Sequence, residues 1–525
     1  MNVFNQNTRT KNVIRTSLTS FVCSIFNLVM SFAYRTIFLH ILSSVYLGIS
    51  GLFSNILLIF SLAELGITSA VVYRFYEPIS RRDVQKIGEL MNFLKHIYRI
   101  IVIIILVLGL LLYPFIDLFI NDAKEIPTDV DIHLAYVIYL GQTVSSYICA
   151  YKQALLSADQ KEYLLALWRT LSNFINYGIQ IIILASSRNF MLSIAIGVVI
   201  NVLMNYFANI LIDRKYKPVF TIKDKLSKEE KGKIFADTKA TVCHKIGGTI
   251  AGGTDNIILS TYVGLTVTGI YSNYSLILTG IRTISSRLMG SFTSSFGNAH
   301  VEQNDEEKYL SYKRMIFVDF WISGLLVVCL YNLLDDFVVM WIGVDYNLDH
   351  FTVVILCINF YAELCRAVST SYIDGCGLFV KDRARPIIEA SLNLVISIFL
   401  VTRLRIAGVF LGTILSQICT VLWREPYILY KYEFKKSVFT YWFNYLKFAF
   451  LTLTLSVSLN ILLDYFHIFD GSLRSWLAEG IVCAFIYNII ALIVFRKSED
   501  FIFFRNMVYE KLRRGHGDKR EKKDK

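Results

Sequence analysis

Charge is scarce in this sequence. Asp, Glu, Lys and Arg make up 18% of its 525 residues, against roughly 25% in ordinary soluble domains. Polar stretches are short as well: no gap between apolar runs exceeds about 25 residues, which leaves no room for a separate soluble domain. Only 6 prolines occur, so long helices run without breaks. The 9 cysteines include no Cys-x-x-Cys pair and sit mostly inside apolar runs. They read as small apolar residues, not as a disulfide framework or metal site. There is no G-x-x-x-x-G-K-[ST] and no H-E-x-x-H. The chain therefore does not hydrolyse nucleotide through a P-loop or bind zinc as those metalloproteases do. Gly247, Gly248, Gly252 and Gly253 look phosphate-like but fall within an apolar run, where small residues permit close helix packing. No large loop carries an acidic pair for glycosyl transfer. The first apolar run lacks a short core followed by a small-residue cleavage site. It reads as a retained span, not a signal peptide.

What is present in abundance is apolar sequence. Hydrophobic residues make up 55% of the chain, and runs recur from Leu18 to Val494. A span needs about 20 apolar residues, and about fourteen such runs can be placed on that criterion. The expected class is therefore an all-α integral membrane protein of about 14 transmembrane helices. The run 386–430 is broken by Arg403 and Arg405 and is read as two spans.

The net charge of +12 is topological. A nucleic-acid surface would gather its basic residues on a soluble face; here they lie in alternate gaps. With the N-terminus in the cytoplasm, the 53 Lys and Arg divide into about 42 inside, about five outside and about six within spans. The outside gaps are acidic, with Asp117, Asp122, Glu125, Asp129 and Asp131 in one and Asp335, Asp336, Asp345 and Asp349 in another. Both termini are expected inside. The organisation read from this is a cytoplasmic N-terminus 1–14, spans one to six over 15–212, a basic linker 213–235, spans seven to twelve over 236–430, spans thirteen and fourteen over 431–496, and a basic tail 497–525. A weak repeat links the halves: Tyr34 to Ile49 lines up with Asp255 to Ile270, each leaving one span and entering the next at Gly-Ile. Such repeats build transporters, although two out-turn-in hairpins can also look alike by chance.

Charge inside a span is costly and usually faces a cavity or a partner. Arg35, Arg282 and Arg287 lie too deep to dismiss. Arg282 and Arg287 stand about 140° apart on one helix and can flank only a wide cavity. Arg366 follows Glu363 by three residues and can pair with it on one face. Arg169 and Lys447 are close enough to the inner surface to snorkel. Among the acids, Asp319 and Glu389 are read as near inner ends and solvated. Glu64 and Asp255 are deeper, and either would bind a coupling cation or neutralise an arginine. Several arginines and few acids suit a polyanion, because guanidinium grips phosphate bidentately and keeps its charge. Gln180, Asn273 and Tyr274 add groups able to meet sugar hydroxyls; packing and interfacial belts account for most other aromatics.

Three stretches carry a family resemblance: Leu62 to Ile79 (LAELGITSAVVYRFYEPI), Tyr147 to Leu164 (YICAYKQALLSADQKEYL) and Asp255 to Ile277 (DNIILSTYVGLTVTGIYSNYSLI). Together they resemble the Wzx-type polysaccharide flippases, the polysaccharide-transporter branch of the MOP superfamily that also holds MurJ and the MATE exporters. The resemblance implies two six-helix lobes around a central cavity, with two extra C-terminal helices, working by alternating access. It implies a transporter, not an enzyme, that flips polyprenyl-diphosphate-linked oligosaccharide repeat units across a bacterial cytoplasmic membrane for cell-surface polysaccharide biosynthesis. Arg35, Arg282, Arg287 and Arg366 are the expected diphosphate and cavity residues, and Glu64, Asp255 and Glu363 the expected ion-coupling ones. No cofactor or metal is expected; Na+, H+ or the membrane potential would drive transport. The expected partners are the lipid-linked oligosaccharide, membrane lipids, and a polymerase and glycosyltransferases of the same pathway, with no nucleic acid. The competing readings are a MATE-like cation or drug exporter and a membrane-embedded glycosyltransferase or polymerase.

Overall fold

The computed structural model describes residues 9–64, 66–290, 304–382, 384–466 and 470–507. Among them there are helices and no strands. The apolar runs become α1 (Arg9–Ile41), α2 (Ser44–Phe60), α3 (Ile67–Arg81), α4 (Val84–Leu112), α5 (Ile132–Ala158), α6 (Glu162–Ser187), α7 (Phe190–Lys215), α8 (Lys228–Tyr262), α9 (Leu265–Gly290), α10 (Asp305–Ile342), α11 (His350–Leu364), α12 (Ala367–Gly375), α13 (Arg385–Cys419), α14 (Val421–Ile428), α15 (Phe439–Phe466) and α16 (Leu473–Phe495). Gly247, Gly248, Gly252 and Gly253 all lie within α8, so they form no phosphate loop.

Polar gaps supply the caps that start these helices. Asp131 accepts from the backbone N–H groups of His133 and Leu134, and Asn189 from that of Leu192. Asn304 and Glu307 form a reciprocal capping box at the head of α10. These side chains satisfy first-turn N–H groups that have no partner within the helix. The same residues that break the apolar runs therefore also define where the next helix begins.

Eight stretches among the described residues are long and apolar enough to cross a membrane by length and composition. Their surfaces divide as a lipid-exposed helix requires. On α4, Ile97, Ile101 and Ile105 are buried at four-residue spacing, while Ile103, Val107, Leu110 and Leu111 are exposed. Hydrocarbon replaces water around the second set, so exposed leucine carries no penalty there.

The helices form two compact units, Met1–Arg287 with Val380–Val421, and Leu288–Phe379 with Leu422–Lys525. In the first, α1 packs on α6, α5 on α7, α2 on α8, and α13 on α8. α13 is a helical hairpin folded at Arg405, whose φ of 52° and ψ of −127° leave the helical region. Ser397 Oγ donates to the carbonyl of Val409 at 3.0 Å and Asn393 Nδ2 to Thr413 Oγ1 at 2.8 Å, which ties the two limbs antiparallel. The backbone thus breaks at Arg405, as the sequence pattern expects, into two antiparallel limbs within Arg385–Cys419. In the second unit, α15, α16 and α11 pack around α10.

The structure corrects the placement of Asp319. It is not solvated but 1% exposed. Its position on the inward stripe of α10, with Ser323 and Gly324, turns it toward the backbone N–H of Val368, and distance from the helix end does not decide its exposure. Glu389 is shielded as well: Arg385 bridges it at 2.6 Å and Asp382 at 2.5 Å.

Candidate functional site

The polar residues of α1 are periodic. Asn27, Ser31 and Tyr34 recur at steps of four and three, which places them on one helix face. α6 presents a matching stripe of Thr170, Asn173, Tyr177 and Gln180. Asn27 Nδ2 donates to Thr170 Oγ1 at 2.8 Å, and Asn173 Nδ2 donates to Asn27 Oδ1 at 3.1 Å. The hydroxyls of Ser31 and Tyr177 meet at 3.5 Å. Tyr34 stacks on Tyr177 with ring centroids 4.8 Å apart, and its hydroxyl donates to Gln180 Oε1 at 2.7 Å. Gln180 in turn donates to Asn176 Oδ1 at 2.9 Å. In hydrocarbon such groups must satisfy one another, and this ladder does so along the α1–α6 seam.

Arg35 follows Tyr34 and points at α9 instead. Its Nη1 donates to Ser272 Oγ at 2.6 Å and to Asn273 Oδ1 at 3.3 Å. Asn273 is fully buried. Among the described residues no carboxylate pairs with Arg35, so its charge is held by hydroxyl and amide dipoles alone. A guanidinium has five donors, and these two bonds leave capacity for an anion.

The Arg35 contact belongs to a symmetric arrangement. The repeat noted in the sequence displaces Tyr34 to Asp255, and the same displacement carries the end of α1, Ile41, to the end of α8, Tyr262, and the start of α2, Ser44, to the start of α9, Leu265. A methyl group added at Gly48 would overlap the carbonyl oxygen of Leu265, and one added at Gly269 would overlap the carbonyl oxygen of Ser44. Each glycine thus rests on the first residue of the other hairpin's second helix. Under the same displacement Arg35 becomes Asn256, and its partner Ser272 becomes Gly51, against which the Asn256 amide sits. The two hairpins are therefore a structural repeat, and the cation occupies only one of the two equivalent places.

The loop after α4 covers this junction. Glu125 accepts from the N–H groups of Leu265 at 2.5 Å and Thr266 at 3.3 Å, capping α9. The Asn121 N–H donates to the Ser260 carbonyl at 3.1 Å, and Tyr46 Oη to Asp129 Oδ1 at 2.7 Å.

The other expected site residues lie elsewhere. Arg282 and Arg287 are exposed and lie on α9, about 14 and 21 Å along the helix from Asn273 at 1.5 Å per residue. They continue the line of α9 away from the hairpin turn and do not converge on Arg35. Arg366 lies in the second unit, at the break between α11 and α12. There it grips Glu425 bidentately, Nε to Oε2 at 3.1 Å and Nη2 to Oε1 at 2.9 Å. Glu363 is half-buried near the end of α11. Glu64 ends a short turn between α2 and α3 and accepts from Tyr98 Oη at 3.2 Å. Asp255 is half-buried on α8 beside Asn256. Arg169 donates to Gln153 at 3.0 Å, and Lys447 lies over the Phe443 ring at 4.0 Å.

Sequence reasoning missed the α1–α6 ladder and Glu425. The ladder had a signal, a polar stripe at helical period in two apolar runs. Glu425 had one too, a carboxylate inside a run. At the polar ends of α4 and α8, Lys86 Nζ meets Glu230 Oε1 at 2.5 Å, and this hydrogen bond holds the Glu230 carboxyl below the ordinary carboxylate range. No group of three or more His, Cys, Asp or Glu among the described residues is placed to hold a metal ion.

No protein-family model matches the sequence, and no curated protein matches it significantly. Solved structures do match the fold. The lipid II flippase MurJ in an inward closed conformation aligns with a TM-score of 0.66 and 16% identity over 92% of this chain and 99% of that one. A multidrug resistance MATE family transporter of the MOP superfamily, inward-facing, aligns at 0.61 and 15% over 79% and 98%. A MOP superfamily transporter from Pyrococcus furiosus, described by the reverse polarity of its binding pocket, aligns at 0.52 and 15% over 81% and 97%. Together with the eight apolar stretches among the described residues, this makes the chain a multi-pass membrane protein with the fold shared by MOP superfamily transporters, MurJ and MATE among them.

Proposed function

We propose that this protein flips a polyprenyl-diphosphate-linked oligosaccharide across a bacterial cytoplasmic membrane, both termini inside, for the assembly of a cell-surface polysaccharide. The observation that carries the reading is Arg35, a guanidinium inside the first unit with no carboxylate partner among the described residues. A cation kept in apolar surroundings without a counter-ion is a standing site for an anion. Its partners Ser272 and Asn273, with Tyr34 and Gln180 on the α1–α6 seam, offer the hydroxyls and amides that a sugar chain needs when it leaves water. MurJ, which shares the fold, is a flippase of lipid II.

The proposed cycle uses the hairpin contact. Arg35 is tied to α9 across the seam that Gly48 and Gly269 close. When the hairpins part, Arg35 loses Ser272 and Asn273, and the diphosphate takes their place. The exposed guanidiniums of Arg282 and Arg287 extend the positive path along α9. No bond in the substrate is broken. An inside-negative potential favours outward movement of the dianion by about 2.3 kcal/mol per charge per 100 mV.

The test is transport by purified protein in vesicles loaded with a fluorescent polyprenyl-diphosphate sugar, comparing the natural chain with Arg35→Gln and Arg35→Lys. Loss of flipping in the glutamine variant, with partial retention in the lysine variant, is expected. Undiminished flipping by Arg35→Gln, or proton-driven export of an organic cation in place of flipping, would remove the reading.

A further inference from the structure

One end of the second unit is acidic, and the transport reading makes no use of it. α10 brings Asp335 and Asp336 to this end, α15 brings Asp464, and α16 brings Glu479. With Asn332 and His350 they line a cavity of about 420 Å3. None of the described residues lining it is lysine or arginine.

Two of its acceptors are buried and unfilled. Glu479 is 3% exposed, and its Oε2 has no hydrogen-bond partner. Asn332 is 7% exposed; its Nδ2 donates to the Val328 carbonyl at 2.8 Å, which leaves Oδ1 without a donor. Unmet acceptors are costly away from water, and both of these belong to residues lining the same acidic cavity. Both oxygens can accept, so a donor would fill them, and a cationic donor would also balance the surrounding carboxylates.

The geometry also selects the kind of cation. A bare metal ion needs its oxygen ligands within about 2.0–2.6 Å of one point, and no three acidic or imidazole groups among the described residues are gathered that closely. The acceptors are instead spread around a space far larger than an ion. An ammonium carries three N–H donors, and a molecule with more than one such group reaches separated acceptors at once. Tyr331 and His350 form one wall, edge to face with ring centroids 5.8 Å apart. The Tyr331 ring can attract an ammonium group, and both rings accommodate methylenes. We infer that this cavity binds an organic ammonium cation, with Glu479 and Asn332 as the buried acceptors and Asp464 at its exposed rim.

That chemistry has a soluble source, a polyamine, and a membrane source, an ethanolamine headgroup. The full-length protein in phosphatidylcholine nanodiscs is titrated with spermidine and, separately, with Mg2+. In a parallel arm, phosphatidylethanolamine retained after detergent extraction is counted by mass spectrometry. Glu479→Gln keeps the shape of the buried side chain, and Asp464→Asn alters an exposed residue, so folding is not at risk in both. Saturable spermidine binding weakened at least about tenfold in both variants (about 1.4 kcal/mol), or retained ethanolamine lipid that both variants lose, supports the inference and identifies the source. Binding of Mg2+ alone, no binding in either arm, or ammonium binding unchanged by both variants overturns it.

Discussion

Gly48 and Gly269 join the two repeated hairpins by one contact used in both directions, each glycine lying on the carbonyl of the residue that opens the other hairpin's second helix. The backbones approach so closely that any side chain at either position must separate them. Overpacking of this kind costs about 1–3 kcal/mol, which shifts a two-state equilibrium by roughly 5- to 150-fold. In a background without native cysteines, Gly48→Leu and Gly269→Leu should each raise maleimide labelling of Ser272→Cys. Labelling that stays at the level of the glycine protein would show that the seam is not what shields Ser272.

Arg366 and Glu425 pair bidentately with little exposure, 18% and 3% at their side chains. Removing one charge from such a pair costs about 3–5 kcal/mol, while replacing both by apolar groups is often neutral. Glu425→Gln should therefore destabilise the protein in denaturant titrations, and Arg366→Met with Glu425→Leu should restore stability. If the stable double variant has lost transport, Arg366 contacts substrate as well as Glu425.

The α1–α6 ladder holds its seam with side-chain hydrogen bonds. Inside membranes such bonds average about 0.6 kcal/mol and reach about 1.7 kcal/mol. Asn173→Leu removes the bond to Asn27 and should lower unfolding stability by an amount in that range. A loss near zero would mean the stripe serves hydration of the substrate path more than helix association.

Glu230 titrates below its ordinary value because Lys86 donates to it. A depressed carboxylate stabilises the folded state above its unfolded pKa, and that contribution disappears as pH falls through the lowered folded value. The stability difference between the natural protein and Glu230→Gln should be full at pH 7 and vanish on acidification toward pH values below the ordinary carboxylate range. A difference independent of pH would assign the Glu230 effect to packing.

The membrane class was legible because it rests on run length and composition. Arg405 marked a real break for the same local reason. Asp319 was misplaced because its distance from a helix end says nothing about which face the neighbouring helices cover. Glu425 shows the same gap: the charge is visible in the chain, but its partner is 59 positions away.

The sequence by itself determined that this chain crosses a membrane many times and that its basic residues alternate between gaps. These properties depend on local hydropathy and short-range pattern, which every segment carries alone. Only the tertiary structure decided that Arg35 meets Ser272 and Asn273 instead of an acid, that Arg366 is matched by Glu425, and that two hairpins close on reciprocal glycines. Charge inside a membrane takes its meaning from what surrounds it, and those surroundings are assembled from helices distant in the chain.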